Sequence, residues 1–337
     1  MSPSSSPRKT RIGLNGFGRI GRSILRILSA APSDFEVAFI NDIEPLDTCA
    51  YLFKYDSVFG TFAGQVEAVE GGLSINGTVI PFHGLSDIST LELSDVDVVL
   101  ECTGMAGKRA VAERGLQAGA RNVLISGPSN EADVTIVLGA NEEKLVGQKI
   151  VSNASCTTNA LAPLLKVLDQ ELGVIGGHMT TVHCYTGSQP TVDKPRANPA
   201  RSRAAALSMV PTTTSAHELV GDVLPHLTGR IEARAIRVPT ASVSAIDLTV
   251  RTRQDVTVDE ARAVLNAAAT GHVLGWTDEP LVSSDLRMRS ESLVLSGPET
   301  SVSEGGLLRV FGWYDNEWGF SHRMLDVARM IAQDISA

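Results

Sequence analysis

A chain of 337 residues, 43% of them hydrophobic, can bury two cores and is too apolar for a disordered protein. Its formal net charge of -9 argues against a protein that coats nucleic acid or an anionic membrane, although an anionic ligand would still need a local basic site. No apolar run has the length of a membrane span, and Cys49, Cys102, Cys156 and Cys184 show neither paired nor metal-like spacing, so reduced thiols in a cytoplasmic protein are expected.

The opening "MSPSSSPRKT" is rich in Ser and Pro, lacks the apolar core of a secretory signal and is expected to be a disordered lead-in. "RIGLN" is a short apolar strand. In "RIGRSILRILSAA" the residues Ile20, Ile24, Leu25 and Leu28 recur at helical spacing. "VAFIN" predicts a second strand running up to Asp42, and "GGLSINGTVIPF" alternates about Asn76-Gly77, a hairpin signal. "DVDVVLECTG" predicts another strand, "KRAVAERGLQAG" a helix stopped by Gly119, and "RNVLIS" and "VTIVLGA" two further strands. Strands alternating with helices predict an α/β fold with a Rossmann-type, doubly wound, mostly parallel sheet.

After Cys156 the pattern changes. "GGHMTTVHCY", "IEARAIRVP" and "SVSAIDLTVRT" are longer strands, with one obvious helix, "TVDEARAVLNAAAT", near them. That predicts an α+β domain with an antiparallel-rich sheet. The Pro- and Arg-rich stretch from Thr186 to Arg203 is a long loop, and long loops in compact domains tend to be functional or to lie at interfaces. "HRMLDVARMIAQDI" is an amphipathic helix.

Two places carry chemistry. "NGFGRIG" sets Gly16, Gly18 and Gly21 in the G-x-G-x-x-G spacing between a strand and a helix. One glycine makes the tight turn, one admits a pyrophosphate against bare backbone, and one lets the helix pack on its strand. Asp42, 21 residues beyond Gly21, would accept ribose hydroxyls and repel a 2′-phosphate, which favours NAD over NADP. A glycine-rich turn without a ligand is the alternative. The second place is "SNASCTTNALAPLLKVL", where Cys156 opens an apolar helical run with Ser155 as its N-cap and Leu161, Leu164, Leu165 and Leu168 as its buried stripe. A thiol in a first helical turn feels the positive end of the macrodipole, which lowers its pKa. "HMTTVHCYTGSQ" supplies His183 as a base, with Thr181, His183 and Tyr185 on one strand face and Cys184 on the other, as core filler. From spacing alone, a buried apolar cysteine and a satisfied core histidine explain the pair equally well.

Taken together, "NGFGRIGR", "AYLFKYDSVFG", "IVSNASCTTN", "MTTVHCYT", "RVPTASVSAIDLTV" and "WYDNEWGFSHR" resemble the phosphorylating glyceraldehyde-3-phosphate dehydrogenases, in order from about Arg11 to the C-terminus. The resemblance implies that Cys156 attacks an aldehyde carbon, that hydride passes to NAD leaving a thioester, and that inorganic phosphate releases an acyl phosphate, with His183 moving the protons. It implies that Arg19 and Ile20 offer backbone N–H groups to the pyrophosphate, that Thr103 and Ser126 lie along the cofactor, and that Asn316 fixes the nicotinamide carboxamide. The phosphate of glyceraldehyde 3-phosphate would meet Thr186 and Arg237, with Ser188 nearby. The attacking phosphate would meet Ser155, Thr157, Arg201, Thr214 and Ser215; Arg203 is left open. It further implies a lead-in over residues 1–10, an NAD-binding domain over 11–154, a catalytic domain over 155–315 and a C-terminal helix over 316–337 returning to the first domain. A homotetramer follows from the same source, while the cytoplasmic setting and the absence of metal, nucleic-acid and membrane partners are expected from the cysteine spacing, charge and hydropathy above. An erythrose-4-phosphate dehydrogenase or a non-catalytic NAD-binding protein are the competing readings.

The match departs in places. Ser215 stands for the usual Gly, Gly127 for Ala, Phe59 for His and Ala160 for a second Cys, and the stretch from Leu286 to Glu304 differs from the family pattern. These changes leave the Cys–His pair in place and bear on substrate breadth and direction of flux.

Overall fold

The computed structural model describes residues 8–336 and divides into two compact units. Unit 1 comprises the described residues up to Thr135, Lys144–Asn153 and the chain from Met324 onward, whereas unit 2 comprises Ile136–Glu143 and Ala154–Arg323. Residues 1–7 of the expected lead-in lie outside the described residues. Its last residues are held, since Arg8 donates to Asp97 at 3.3 Å and Thr10 already belongs to a strand.

Unit 1 is built from β1 (Thr10–Asn15), α1 (Arg19–Ala30), β2 (Phe35–Asn41), α2 (Leu46–Lys54), β3 (Tyr55–Asp56), β4 (Gly60–Thr61), β5 (Val66–Val69), β6 (Gly72–Ile75), β7 (Thr78–His83), β8 (Val98–Glu101), α3 (Arg109–Gln117), β9 (Asn122–Ile125), β10 (Val134–Thr135) and β11 (Ile150–Ser152). Its nine-stranded sheet runs β10-β11-β9-β8-β1-β2-β7-β6-β5. The pairs from β10 to β7 are parallel, and β7, β6 and β5 continue as antiparallel hairpins. Strands β8 and β9 are buried throughout, which is why "VVLE" and "NVLI" are nearly continuous apolar runs without alternation. The β6–β7 turn has positive φ at Asn76 and Gly77, as a two-residue turn of matching twist requires. The strand order reverses about β1, and the crevice at the carboxyl end of such a strand is where doubly wound sheets take nucleotides. "VTIVLGA" is strand only over Val134–Thr135, because local turns take over: Asn141 Oδ1 accepts from Val137 N at 2.8 Å and Glu142 Oε2 from Gly139 N at 2.9 Å.

Unit 2 contains α4 (Cys156–Leu172), β12 (Val174–Cys184), β13 (Val210–Thr213), α5 (Ala216–Val223), β14 (Ile231–Val238), β15 (Ser244–Thr252), α6 (Val258–Ala268), β16 (Leu274–Thr277), β17 (Leu293–Ser296), β18 (Ser301–Val302) and β19 (Leu307–Tyr314), with α7 (Trp318–Ser336) starting in this unit and ending in unit 1. The sheet order is β13-β14-β12-β15-β19-β17-β16, with β18 on β19; most pairs are antiparallel, while β12–β14 and β16–β17 are parallel. Helix α4 buries Leu161, Leu164, Leu165 and Leu168 completely, in one core with Met179 of β12, Leu248 of β15 and Val310 of β19. Each such leucine contributes about 2 kcal/mol of burial. That offsets Pro163, which stands well inside α4 and removes a helical hydrogen bond. Helix α5 is an addition to the one helix expected near these strands. At eight residues, "AHELVGDV" is too short to display a period, yet Leu219, Val220 and Val223 are buried.

Candidate active site

In unit 1 the glycines have separate tasks. Gly16 has φ 99°, and a Cβ there would lie 2.6 Å from Thr103 N. A Cβ on Gly21 would lie 2.2 Å from the Gly16 carbonyl oxygen, so bare backbone is needed where α1 crosses the turn. Gly18 is different. A Cβ there meets nothing within 4 Å, so packing within the chain does not account for glycine at this position. Helix α1 begins at Arg19 with no side chain capping it from Gly18, the arrangement in which first-turn N–H groups can serve an anion. The Arg19 guanidinium is paired with Asp56 and lies over the Phe59 ring at 5.1 Å. Phe59 thus stacks on an arginine that borders the turn.

Asp42 follows β2. Its Oδ2 accepts from Phe17 N at 2.6 Å and its Oδ1 from Glu44 N at 3.0 Å, which fixes the carboxylate beside the glycine turn. Behind it lies a buried polar chain. Asn41 Nδ2 donates to Asn15 Oδ1 at 2.8 Å, Asn15 Nδ2 donates to Glu101, and Glu101 accepts from the Thr103 hydroxyl and, at 3.0 Å, from Thr103 N. Burial raises the Glu101 pKa against these donors. Ser126 follows β9 with its N–H on the Glu101 carbonyl at 3.0 Å. The glycine turn, Asp42, Thr103 and Ser126 therefore hang from the carboxyl ends of β1, β2, β8 and β9.

In unit 2, Ser155 caps α4: its Oγ accepts from Thr158 N at 3.1 Å. Cys156 is the first residue of the helix, half-buried, with Sγ 3.7 Å from His183 Nε2. His183 is nearly at the end of β12 and only 4% exposed. Burial drives the pKa of its imidazole down to about 4, and the neighbouring Arg237 charge adds to the effect. Against the expectation of a lowered thiol pKa, burial pushes Cys156 up, with Arg237 and hydrogen bonds from Thr157 pulling it back. Burial thus disfavours the charged form of both groups, and a neutral imidazole is what a general base must be.

The register of the sheet brings Arg237 to this pair. Strands β12 and β14 are parallel with His183 opposite Arg237, and Arg237 Nη1 lies 2.8 Å from His183 Nδ1 and 3.0 Å from the Cys184 carbonyl. Cys184 points the other way and donates from Sγ to Asn316 Oδ1 at 3.0 Å, which orients the Asn316 amide. Tyr314, which sequence reasoning missed, places its hydroxyl 2.9 Å from Thr157 Oγ1 and 2.7 Å from Thr181 Oγ1. Its edge faces the His183 ring at 6.0 Å.

Arg237 also lines an open cleft of about 270 Å³ with Ser188, Arg196 and Arg201. Arg196 was a second miss; its only signal was the Pro- and Arg-rich loop that carries it. Thr186 Oγ1 is 2.9 Å from Ser188 Oγ, at the start of that loop. Arg201 donates to Thr212 Oγ1 at 2.6 Å and to the Thr213 carbonyl at 3.2 Å, so it is held against β13 just before Thr214 and Ser215. Ser215 precedes α5 with its side chain exposed and makes no capping bond. Arg203, left open by the sequence, is paired with Asp193 at 2.9 Å on the surface.

Residues 10–109 match the family model "Glyceraldehyde 3-phosphate dehydrogenase, NAD binding domain" and residues 155–316 the model "Glyceraldehyde 3-phosphate dehydrogenase, C-terminal domain". The chain belongs to the glyceraldehyde-3-phosphate dehydrogenase family. Glyceraldehyde-3-phosphate dehydrogenase of Cereibacter sphaeroides is 46% identical over 94% of this chain and 97% of its own length. The proteins of that name from Geobacillus stearothermophilus and Pseudomonas aeruginosa are 44% and 45% identical, each over 96% of this chain and 98% of their own length. As a member of the family the chain is an NAD-dependent oxidoreductase, and unit 1 contains the segment that matches the NAD-binding model.

Proposed function

We propose that the chain oxidises D-glyceraldehyde 3-phosphate to 1,3-bisphosphoglycerate with NAD and inorganic phosphate, reversibly, in glycolysis or gluconeogenesis, through a thioester on Cys156. The observation that carries the reading is the Cys156–His183 contact at the mouth of a capped helix, next to an arginine that also lines the cleft.

The residues divide the work as follows. Cys156 Sγ loses its proton to His183 Nε2 and bonds to the aldehyde carbon, and His183 passes that proton to the former carbonyl oxygen, giving a thiohemiacetal and a neutral ring. When bound, NAD accepts the hydride from that carbon. His183 takes the hydroxyl proton as the carbonyl re-forms, so the carbon is oxidised to a thioester. A phosphate oxygen then attacks the thioester carbon, the carbon–sulfur bond breaks, and Cys156 leaves as a thiolate that is reprotonated. Arg237 and Thr186 hold the substrate's phosphate. Ser155, Thr157, Arg201, Thr214 and Ser215 receive the attacking phosphate, since hydroxyls and guanidinium groups suit its geometry. Gly16, Gly18, Gly21, Arg19 and Ile20 cradle the pyrophosphate, Asp42 takes the ribose hydroxyls, Thr103 and Ser126 flank the cofactor, and Asn316 takes the carboxamide.

A homotetramer in the cytoplasm belongs to the same reading. Four free cysteines and strongly exposed apolar residues such as Val192, Leu207 and Met209 support it. The test is steady-state NADH formation with three- and four-carbon aldose phosphates, with and without inorganic phosphate. The expected result is phosphate-dependent NADH formation from glyceraldehyde 3-phosphate that is lost in Cys156→Ser. Phosphate-independent turnover, or a preference for erythrose 4-phosphate, would overturn it.

A further inference from the structure

Asn316 is pinned through its backbone and only half satisfied at its amide. Its neighbour Asp315 accepts from Met288 N at 2.9 Å, from Glu317 N at 3.0 Å and from Trp318 N at 2.9 Å, which fixes the chain where β19 gives way to α7. Asn316 itself is only 8% exposed. Its Oδ1 accepts from Cys184 Sγ at 3.0 Å, while its Nδ2 hydrogens have no partner among the described residues. A buried donor left without a partner calls for an explanation, and an acceptor on a ligand is one.

Which end of the amide faces outward depends on Cys184. An asparagine amide offers an acceptor at Oδ1 and donors at Nδ2, and the two ends have nearly the same shape. A protonated thiol carries one hydrogen and accepts weakly, so it takes Oδ1 and turns Nδ2 away. Two observations keep this thiol a donor. Burial drives its pKa up to about 12. The Ser244 hydroxyl, on the strand between β12 and β19, accepts from Cys184 N at 3.1 Å and also bonds the sulfur, which leaves the S–H for Asn316. Cys184 follows His183 at the end of β12 and lies near enough to Cys156 for a charge there to act on it. The unpaired amide donors are thus held beside the Cys156–His183 pair.

We propose that Cys184 is a positioning residue for the cofactor: by donating to Oδ1 it holds Asn316 with Nδ2 outward, as a donor to the carbonyl oxygen of the nicotinamide carboxamide. This rests on the reading that Asn316 takes the carboxamide. The Cys184 thiol has no chemical step of its own. It removes the alternative in which the amide turns over and meets the carbonyl oxygen with a second acceptor. A hydroxyl at this position would serve equally, whereas a side chain without a donor would not, whatever its volume.

The test is binding of NAD and of ADP-ribose, which lacks the nicotinamide, measured by titration calorimetry on the full chain. Cys184→Ala and Cys184→Val remove the donor, one leaving space and the other filling it, and Cys184→Ser keeps a donor. Both donor-less variants should bind NAD about fivefold more weakly than wild type, the ordinary worth of one hydrogen bond, and should bind ADP-ribose unchanged. Cys184→Ser should bind NAD as wild type does. If one donor-less variant fails to fold, the other carries the comparison. NAD binding at wild-type strength in a donor-less variant overturns the proposal. So does a parallel loss of ADP-ribose binding, or a serine variant as weak as the donor-less ones, since each leaves Cys184 only a packing role. Asn316→Ala tests the underlying reading separately and should weaken NAD while sparing ADP-ribose. If it spares NAD as well, the carboxamide reading falls and the proposal with it. If it weakens NAD while the donor-less variants do not, that reading stands and the proposal alone is overturned.

Discussion

The Tyr314 hydroxyl lies 2.9 Å from Thr157 Oγ1, so the last residue of β19 fastens the first turn of the helix that Cys156 opens. The same hydroxyl reaches Thr181 on β12 at 2.7 Å, which joins α4, β12 and β19 at one buried atom. Tyr314→Phe keeps the ring and strands both threonine hydroxyls. The expected loss is about 1–3 kcal/mol of stability, the cost of unpaired buried polar groups. Cys156 alkylation should slow as well, because the helix mouth is no longer held. Urea unfolding and iodoacetamide labelling check the two effects, and an unchanged midpoint would remove Tyr314 from the framework of the site.

Much of this arrangement was legible in the sequence, for identifiable reasons. The "NGFGRIG" turn, Asp42 and the hairpin at Asn76-Gly77 are local signals, set by spacing within a few residues or within one strand-helix-strand unit. Ser155 as the cap of α4 is local too. What could not be read was register. Arg237 reaches His183 because β12 and β14 pair in parallel with those residues opposite each other, and nothing in either segment specifies the partner. Tyr314 was missed on the same account, since it acts across the sheet through its hydroxyl. The thiol's pKa was misjudged because helix-dipole reasoning leaves out burial, and burial outweighs it here. Helix α5 was missed because eight residues give too little period to see.

His183 makes stability depend on pH. Its folded pKa is lowered from 6.5 to about 4, so between those values the unfolded chain binds the extra proton. Stability from this group is fully present above the unfolded value and is lost as pH falls toward the folded one. The size is about 3 kcal/mol. Urea midpoints of wild type and His183→Asn should therefore diverge between pH 7 and pH 4, the wild type falling more steeply. Parallel curves would mean that the ring is not held neutral by its surroundings.

The four thiols should separate by reactivity. Burial pushes Cys49 up to about 11 and Cys102 and Cys184 to about 12, whereas Arg237 and Thr157 restrain the rise at Cys156. Iodoacetamide near neutral pH should modify Cys156 first, ahead of the other three. Peptide mapping of the labelled chain measures this. Equal, slow labelling of all four would favour a protein that binds NAD without using a thiol.

Asp42 should decide between the two nicotinamide cofactors. Its carboxylate is braced by Phe17 N and Glu44 N, and on the proposed reading it sets a negative charge where a 2′-phosphate would come. Asp42→Asn keeps the acceptor for Phe17 N and removes the charge. The expected outcome is a rise in KM for NAD and about a tenfold weaker preference for NAD over NADP, which corresponds to about 1.4 kcal/mol. The ratio of kcat/KM for the two cofactors is the measurement, and an unchanged ratio would place the discrimination elsewhere.

The glycines of the turn offer the sharpest separation of folding from binding. Gly21 cannot accept a side chain, because its Cβ would sit 2.2 Å from the Gly16 carbonyl oxygen. Gly21→Ala should therefore lose about 3 kcal/mol or more as α1 is pushed off its strand. Gly18 has open space around its Cβ position and precedes α1 with an ordinary φ of -70°. Serine is at least as good a helix cap as glycine, so Gly18→Ser should unfold within about 0.5 kcal/mol of wild type. Its side chain would nonetheless occupy the approach of the pyrophosphate, and KM for NAD should rise about tenfold or more. Urea unfolding of the two variants, set against their cofactor kinetics, distinguishes a glycine kept for packing from one kept for a ligand. If Gly18→Ser bound NAD as tightly as wild type, the open space at Gly18 would have no cofactor to explain it.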